Sequence, residues 1–183
     1  AALTRRLAGL TDVVSMDIVD PWREDEGWEF TPEKDGCTLD TVNGCEYLRD
    51  VYVAADPEYT GRVTVPVLWD REHETIVNNE SIEIMRMFAT EFADYGDDGR
   101  ELYPEDHRDE IDRIIESIYD SINNGVYRAG FAETQAAYNE AVTGVFDTLD
   151  HWNEVLADQR YLAGDRLTLA DVRLFPTLIR FDE

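Results

Sequence analysis

Residues 64–70 read Thr-Val-Pro-Val-Leu-Trp-Asp, and Asn78-Asn79-Glu80-Ser81 follows after a short gap. A proline inside an apolar strand loses a ladder donor, so Pro66 belongs at a strand start or edge. An X-Pro bond is also the one place where a cis peptide costs little. A cis bond at Pro66 would turn the Val65 carbonyl and amide outward, free to pair with an extended ligand. The helix expected after Asn79 offers backbone N–H groups and a positive dipole end, which suit a carboxylate. Glu80 adds a negative charge beside them, which suits an ammonium. An anion site next to a cation site is what a free amino-acid head group needs, such as the γ-glutamyl end of a thiol peptide. An ordinary hairpin leading into a capped helix would use the same residues, and the spacing alone leaves both readings open.

The elements that must position these residues are legible along the chain. Residues 13–19 alternate enough to predict a strand buried on one face. Residues 20–44 form a long Pro-, Gly- and acid-rich loop carrying Trp22, Trp28 and Phe30. The aromatics argue for a docked loop, since loops of this length are otherwise functional or disordered. Residues 46–55 predict a helix with Tyr47, Leu48, Val51 and Tyr52 on one side. Strands over 63–69 and 75–77 follow, then a helix over 80–92. Helix, strand, helix, strand, strand, helix is the tail of a thioredoxin-like β-α-β-α-β-β-α unit whose first strand and active-site turn are missing.

Strand signals stop after the polar linker at 94–100, which includes Asp97-Asp98. Residues 105–122 carry Ile111, Ile114, Ile115, Ile118 and Ile122 at helical spacing, a core stripe. Asn123-Asn124-Gly125 is expected to break that helix, with Val126-Tyr127 directly after. Residues 134–157 form a second long helix through Ala137, Ala141, Val145, Leu149, Trp152 and Leu156. Thr168 reads as the N-cap of a last helix, with Asp171 at N3 completing an acidic variant of the capping box and Leu167 with Val172 as the staple. The fold class is therefore α/β plus all-α: a thioredoxin-like domain over 1–93 and an all-helical domain over 101–183.

At 183 residues, with 43% apolar and 11% aromatic content, the chain can build a real core despite a formal charge of −25. Lys34 is the only lysine, and the other fifteen basic residues are arginines. The acids are spread along the whole chain. That pattern reads as a surface adapted to high salt, where charges are screened within about 3 Å at 1 M. It excludes nucleic acid as a partner. Cys37 and Cys45 have neither CxxC nor metal spacing, so a reduced cytoplasmic compartment is the expectation. His73, His107 and His151 come from separate elements and predict no metal. No apolar run is long enough to cross a membrane, and no signal-peptide pattern is present. Residues 1–10 read as the second half of an amphipathic helix closed by Gly9, and the end at Glu183 follows an apolar helix, so a fragment lacking both ends is expected.

Several longer stretches now coincide: Gly27-Trp28-Glu29-Phe30; the run from Ala55-Asp56-Pro57 to Trp69-Asp70; Ile76-Val77-Asn78-Asn79-Glu80-Ser81; Ile122-Asn123-Asn124-Gly125-Val126-Tyr127-Arg128-Ala129-Gly130-Phe131; and Leu174-Phe175-Pro176 through Phe181-Asp182. In these the chain resembles the glutathionyl-hydroquinone reductases, or Xi-class glutathione transferases, over essentially its whole length. The resemblance implies removal of glutathione from glutathionyl-hydroquinones by a cysteine thiolate, through an enzyme–glutathione mixed disulfide that a second thiol resolves. It implies Trp28, Arg62, Val63, Thr64, Val65, Glu80 and Ser81 as the glutathione-binding residues, Pro66 as the structural cis-proline and Tyr127 as the acid/base. Val65, Glu80 and Ser81 also follow from the residues themselves; Tyr127 does not, and on pattern alone is a helix-packing aromatic.

The family's Cys-Pro-Trp-Ala-His-Arg motif would fall just before Ala1, and a further tyrosine just past Glu183. Neither Cys37 nor Cys45 matches that motif, so the chain as given is expected to bind but not turn over. The implied partners are a small thiol and a quinone adduct, in a homodimer. The co-substrate is glutathione or, on a salt-adapted surface, γ-glutamylcysteine, since Glu80-Ser81 would read only the shared γ-glutamyl head. The other function left open is a non-catalytic glutathione-transferase-like module for binding or assembly.

Overall fold

The computed structural model describes residues 1–96 and 99–181. The linker pair Asp97-Asp98 and the last two residues, Asp182 and Glu183, lie outside it. The chain divides into two compact units: Ala1 with Thr11–Met85, and Ala2–Leu10 with Arg86–Glu183.

The first unit is built on α2 (Leu48–Ala55) and an antiparallel pair, β1 (Leu68–Asp70) and β2 (Thr75–Asn78). Trp69 pairs with Ile76 and Asp70 with Thr75, and a bulge separates Leu68 from Trp69. The turn between them is closed by Asp70, whose Oδ1 accepts from the Glu72 and His73 amides at 2.8 and 3.0 Å. Leu48, Val51 and Tyr52 make the core, with Trp28, Phe30, Val63 and Trp69 packed on it. The helix thus buries the face its apolar spacing marks out.

Two expected strands are not formed as expected. Residues 13–19 form no ladder: Val13 lies in a turn and Val14 in a bend, and Val13, Met16 and Ile18 are exposed. Their polar groups are taken by a loop instead: Ile18 donates to Thr38 Oγ1 at 2.8 Å, its carbonyl accepts from Thr38, and Asp17 accepts from the Thr41 amide at 2.9 Å. The strand expected over 63–69 shrinks to its last part. Residues 63–67 carry no ladder, and Thr64 among them is bound by the Tyr52 hydroxyl instead of by a neighbouring strand.

The long loop is docked, as its aromatics suggested, except at Trp22, which is exposed. Its ends are fastened by Asp20 N–H to Glu29, Phe30 N–H to Glu46 and Leu48 N–H to Trp28. A second fastening is ionic. Asp20 is buried, and its carboxylate accepts from the Lys34 ammonium, the Thr31 hydroxyl and the Trp22 amide. The chain's one lysine therefore closes the loop that carries Trp28. The Lys34 hydrogen bond, then the Trp22 amide, holds the Asp20 carboxyl below the usual carboxylate range, against the opposing effect of burial.

A carboxylate with a depressed folded pKa stabilises above its unfolded value, about 3.9, and that contribution disappears as pH falls through the folded value. Acidification below about pH 4 should therefore loosen this loop, read as a shift in tryptophan emission from Trp22 and Trp28. Asp20→Asn should show the loosened emission already at pH 7. Emission of Asp20→Asn identical to wild type across that range would remove the clasp from the account.

In the second unit, α1 (Ala2–Leu7) ends in a Schellman closure. Gly9 has φ 70°, the Leu10 amide donates to Arg5 and the Gly9 amide to Arg6, and Leu10 is fully buried. The passing chain meets this end closely. A β-carbon on Gly96 or Gly99 would run into the Ala8 carbonyl oxygen, and the Arg100 amide donates to Leu7 at 3.0 Å. α3 (Ser81–Ala89) spans the division between the units.

Four isoleucines of the stripe lie in α4 (Arg108–Ile118) and Ile122 just beyond it, and all five are buried. Arg86 binds Asp112 at 2.8 Å, and the Tyr103 hydroxyl donates to the same carboxylate at 2.7 Å, pinning the first half of α4. The expected break at Asn123-Asn124-Gly125 is reduced to one turn residue, Asn124, whose backbone stays in the right-handed helical region. The helix widens into a π turn, Tyr119–Asn123, and continues through Asn124 into α5 (Gly125–Gly130).

α6 (Gln135–Asp158) is capped by Thr134, whose hydroxyl accepts from Ala137 at 3.2 Å. It buries Ala141, Val145 and Trp152, but Ala137 and Leu156 are exposed, against expectation, because the first turns and the last lie beyond the packed stretch. α7 (Leu169–Leu178) begins with the expected capping box. Asp171 accepts from the Thr168 amide at 2.9 Å and, with its other oxygen, from Leu162. No helix among the described residues is long and apolar enough to cross a membrane.

Candidate functional site

Tyr52 organises the segment around Val65. It sits on the buried side of α2, 2% exposed, where a phenol must find a polar partner for its hydroxyl. The hydroxyl donates to the Thr64 carbonyl at 2.9 Å and accepts from Asn79 Nδ2 at 3.1 Å. One side chain thus ties residues 63–67 to the loop that opens α3. Tyr59 adds a second fastening: its ring lies 4.9 Å from that of Tyr52, and its hydroxyl donates to the Arg62 carbonyl at 2.9 Å. Gly61 makes room for this, since a β-carbon there would strike the Tyr59 ring.

The Val65–Pro66 bond is cis. Val65 is 45% exposed, and among the described residues its amide and carbonyl take no protein partner. Glu80 is exposed at the mouth of α3, its amide donating to Asn78 Oδ1 at 2.7 Å, and its carbonyl accepts from Ile84. Ser81 follows, half-buried, as the first helical residue. The Tyr52 anchors, Thr64 and Asn79, are the immediate neighbours of Val65 and Glu80. One hydroxyl therefore bonds the residue before Val65 and the residue before Glu80.

Val63 and Trp28 pack on the same α2 core, with Trp28 half-buried, while Arg62 is exposed. Tyr127 belongs to the second unit. It stands on α5, 56% exposed, its ring stacked on Phe131 at 6.5 Å. Sequence reading missed Tyr52 and Asn79 as site residues. The available signal was a phenol at an apolar helix position, which needs a partner when buried.

Cys45 is a poor nucleophile. Burial, then the Asp40 carboxylate, pushes the Cys45 thiol up, away from the thiolate. The Cys37 thiol faces the Val19 carbonyl at 3.9 Å. No group of three or more His, Cys, Asp or Glu that could hold a metal occurs among the described residues. His73 is engaged by Asp70 at 2.9 Å.

Comparison with known proteins gives this geometry a context. A family model of the glutathione S-transferase N-terminal domain matches residues 1–91, and one of the C-terminal domain matches residues 135–183. The glutathionyl-hydroquinone reductase PcpF of Sphingobium chlorophenolicum is 51% identical over 98% of this chain. The glutathionyl-hydroquinone reductase YqjG of Escherichia coli is 48% identical over the same share. The chain spans a little over half the length of these curated relatives, 57% and 55%.

Among solved structures, a Xi class GST from Natrialba magadii matches with a TM-score of 0.96 at 60% identity, over 98% of this chain and 56% of that one. The Xi glutathione transferase ECM4 from Saccharomyces cerevisiae, in complex with glutathione, matches with a TM-score of 0.91 at 34% identity, over 98% of this chain and 67% of that one. With a thioredoxin-like N-terminal part, a helical C-terminal part and these relatives, the chain belongs to the glutathione transferase family and, within it, to the Xi-class glutathionyl-hydroquinone reductases.

Proposed function

We propose that the protein binds a γ-glutamyl thiol on its first unit and, in its full length, removes that thiol from glutathionyl-hydroquinones. The observation that carries the reading is the Tyr52 hydroxyl holding Thr64 and Asn79, so that the unpaired backbone of Val65 and the Glu80-Ser81 entrance to α3 are fixed by one group. Val65 pairs with the peptide backbone of the thiol, and the α3 amides take the γ-glutamyl carboxylate. Glu80 takes the ammonium, and Trp28, with Arg62 through Thr64, borders the site.

The family's nucleophile motif has no counterpart among these 183 residues, so the cysteine thiolate is assigned to the longer protein. That thiolate attacks the thioether sulfur, forming a mixed disulfide as the carbon–sulfur bond breaks. The departing ring carbon takes a proton from Tyr127, and the hydroquinone leaves. A second thiol, as its thiolate, attacks the thiol sulfur of the mixed disulfide, leaves as the disulfide of the two thiols and restores the cysteine thiolate. By family likeness the protein acts as a homodimer.

Calorimetric titration of the full-length protein with glutathione tests the binding half. Glu80→Gln should weaken binding about tenfold or more, as expected for loss of a charged hydrogen bond. Unchanged affinity in Glu80→Gln would sink the assignment. γ-Glutamylcysteine should bind comparably because it presents the same head; tight glutathione binding with none for γ-glutamylcysteine would rule out that alternative co-substrate.

A further inference from the structure

The π turn at Tyr119–Asn123 sits immediately before the helix that carries Tyr127. Its closure is the Asn124 amide donating to the Tyr119 carbonyl at 2.8 Å, one residue wider than an α turn. Such a turn inserts a residue, so side chains beyond it are rotated by about 100° relative to an uninterrupted α-helix. The inserted residue must be held in place, or the helix reverts to the commoner α register.

Asn123 holds it. Its Nδ2 donates to Thr177 Oγ1 at 2.6 Å and to the Arg173 carbonyl at 3.3 Å, both on α7. A carbonyl cannot donate, so the amide nitrogen, not the oxygen, must face α7. The acceptor turn on α7 contains Pro176, which lacks an N–H and interrupts the helix ladder there. Two further contacts secure the register downstream. Gly125 is buried so close to α6 that a β-carbon would approach Val145 Cγ2 to 2.9 Å. Arg128 donates back to the Asp120 carbonyl at 3.0 Å. Asn123 ends the π turn, and Tyr127 stands four residues further on in α5, with only the turn residue Asn124 between the two elements.

We propose that Asn123 is a positioning residue for Tyr127: by bolting the π turn to α7 it sets the rotation at which the Tyr127 hydroxyl is presented. This rests on Tyr127 being the proton donor of the proposed reaction. Asn123 touches no reacting atom and acts only through the tyrosine.

The test is a double-mutant comparison in the full-length protein, reading kcat for thiol release from a glutathionyl-hydroquinone and KM for the resolving thiol. Asn123→Ala should lower kcat about ten- to a hundredfold, the scale of an ångström-level misplacement, with KM for the thiol unchanged. Thr177→Val removes the shorter hydrogen bond from the α7 side and should lower kcat in the same way. Thr177→Ser keeps the hydroxyl and should restore it. In a Tyr127→Phe background, Asn123→Ala and Thr177→Val should cost nothing further, because the group they position is gone.

Losses that multiply with that of Tyr127→Phe, or wild-type kcat in both Asn123→Ala and Thr177→Val, would overturn the proposal. Should Asn123→Ala fail to fold, Thr177→Val with its Thr177→Ser control decides alone. If Tyr127→Phe by itself leaves kcat intact, the donor reading falls and this inference falls with it. A normal loss in Tyr127→Phe with none in the positioning variants removes this inference only.

Discussion

Tyr127→Phe should lower kcat for thiol removal in the full-length protein by about 10²–10⁴-fold, the usual contribution of a positioned proton donor. Thiol affinity and melting temperature should stay as in wild type. The structural reason for that separation is local. Tyr127 is more than half exposed, and its ring, not its hydroxyl, makes its contact, stacking on Phe131. A phenylalanine keeps the stack, so only the transferable proton is lost. A mutation that lowers kcat and kcat/KM together removes an interaction made in the transition state. Steady-state kinetics with a glutathionyl-hydroquinone supply the check, and kcat within twofold of wild type would remove Tyr127 from the mechanism.

The second large effect is expected at Tyr52→Phe. The substitution conserves the buried ring but deletes a hydroxyl that both donates and accepts, leaving the Thr64 carbonyl and the Asn79 amide without it. Fully buried partners left unsatisfied cost about 1–3 kcal/mol, and these half-buried ones fall at the low end of that range. Because those partners flank Val65 and Glu80, glutathione affinity should fall as well, by about tenfold on the same scale. Tyr59→Phe is the control. Its hydroxyl reaches the Arg62 carbonyl at an exposed position, where water can replace it, so both losses should be smaller. Urea unfolding and calorimetry read the two quantities. Tyr52→Phe that is destabilised yet binds normally would confine Tyr52 to the core.

What was legible in the sequence was what local rules decide. The isoleucine spacing placed α4 and its buried face. Thr168 with Asp171 placed the start of α7, and Gly9 the end of α1, because a cap or a positive φ is a property of a few adjacent residues. The cis bond at Val65-Pro66 and the start of α3 at Ser81 were legible for the same reason.

What was not legible depended on distant partners. Alternation over 13–19 cannot say whether a strand lies alongside, and there the loop residues Thr38 and Thr41 take the polar groups instead. Tyr52 read as one more apolar-face aromatic, since its acceptor and donor lie 12 and 27 residues away. Asn123-Asn124-Gly125 has the composition of a break. The interruption shrinks to the one turn residue Asn124, with α7 bonding Asn123 and α6 packing on Gly125, and neither contact is written in the triplet itself.

The join between α1 and the stretch ending at Arg100 bears on how the molecule can be taken apart. Its helical part includes residues from both sides of the polypeptide's middle: Ala8 is met by Gly96 and Gly99, and Leu7 accepts from Arg100. A recombinant piece that begins after this seam would leave its own first helix behind and uncover the side of α7 on which that helix rests. Dissection, domain grafting or circular permutation would therefore have to carry residues 2–10 along with the C-terminal half, even though the covalent order assigns them to the other end.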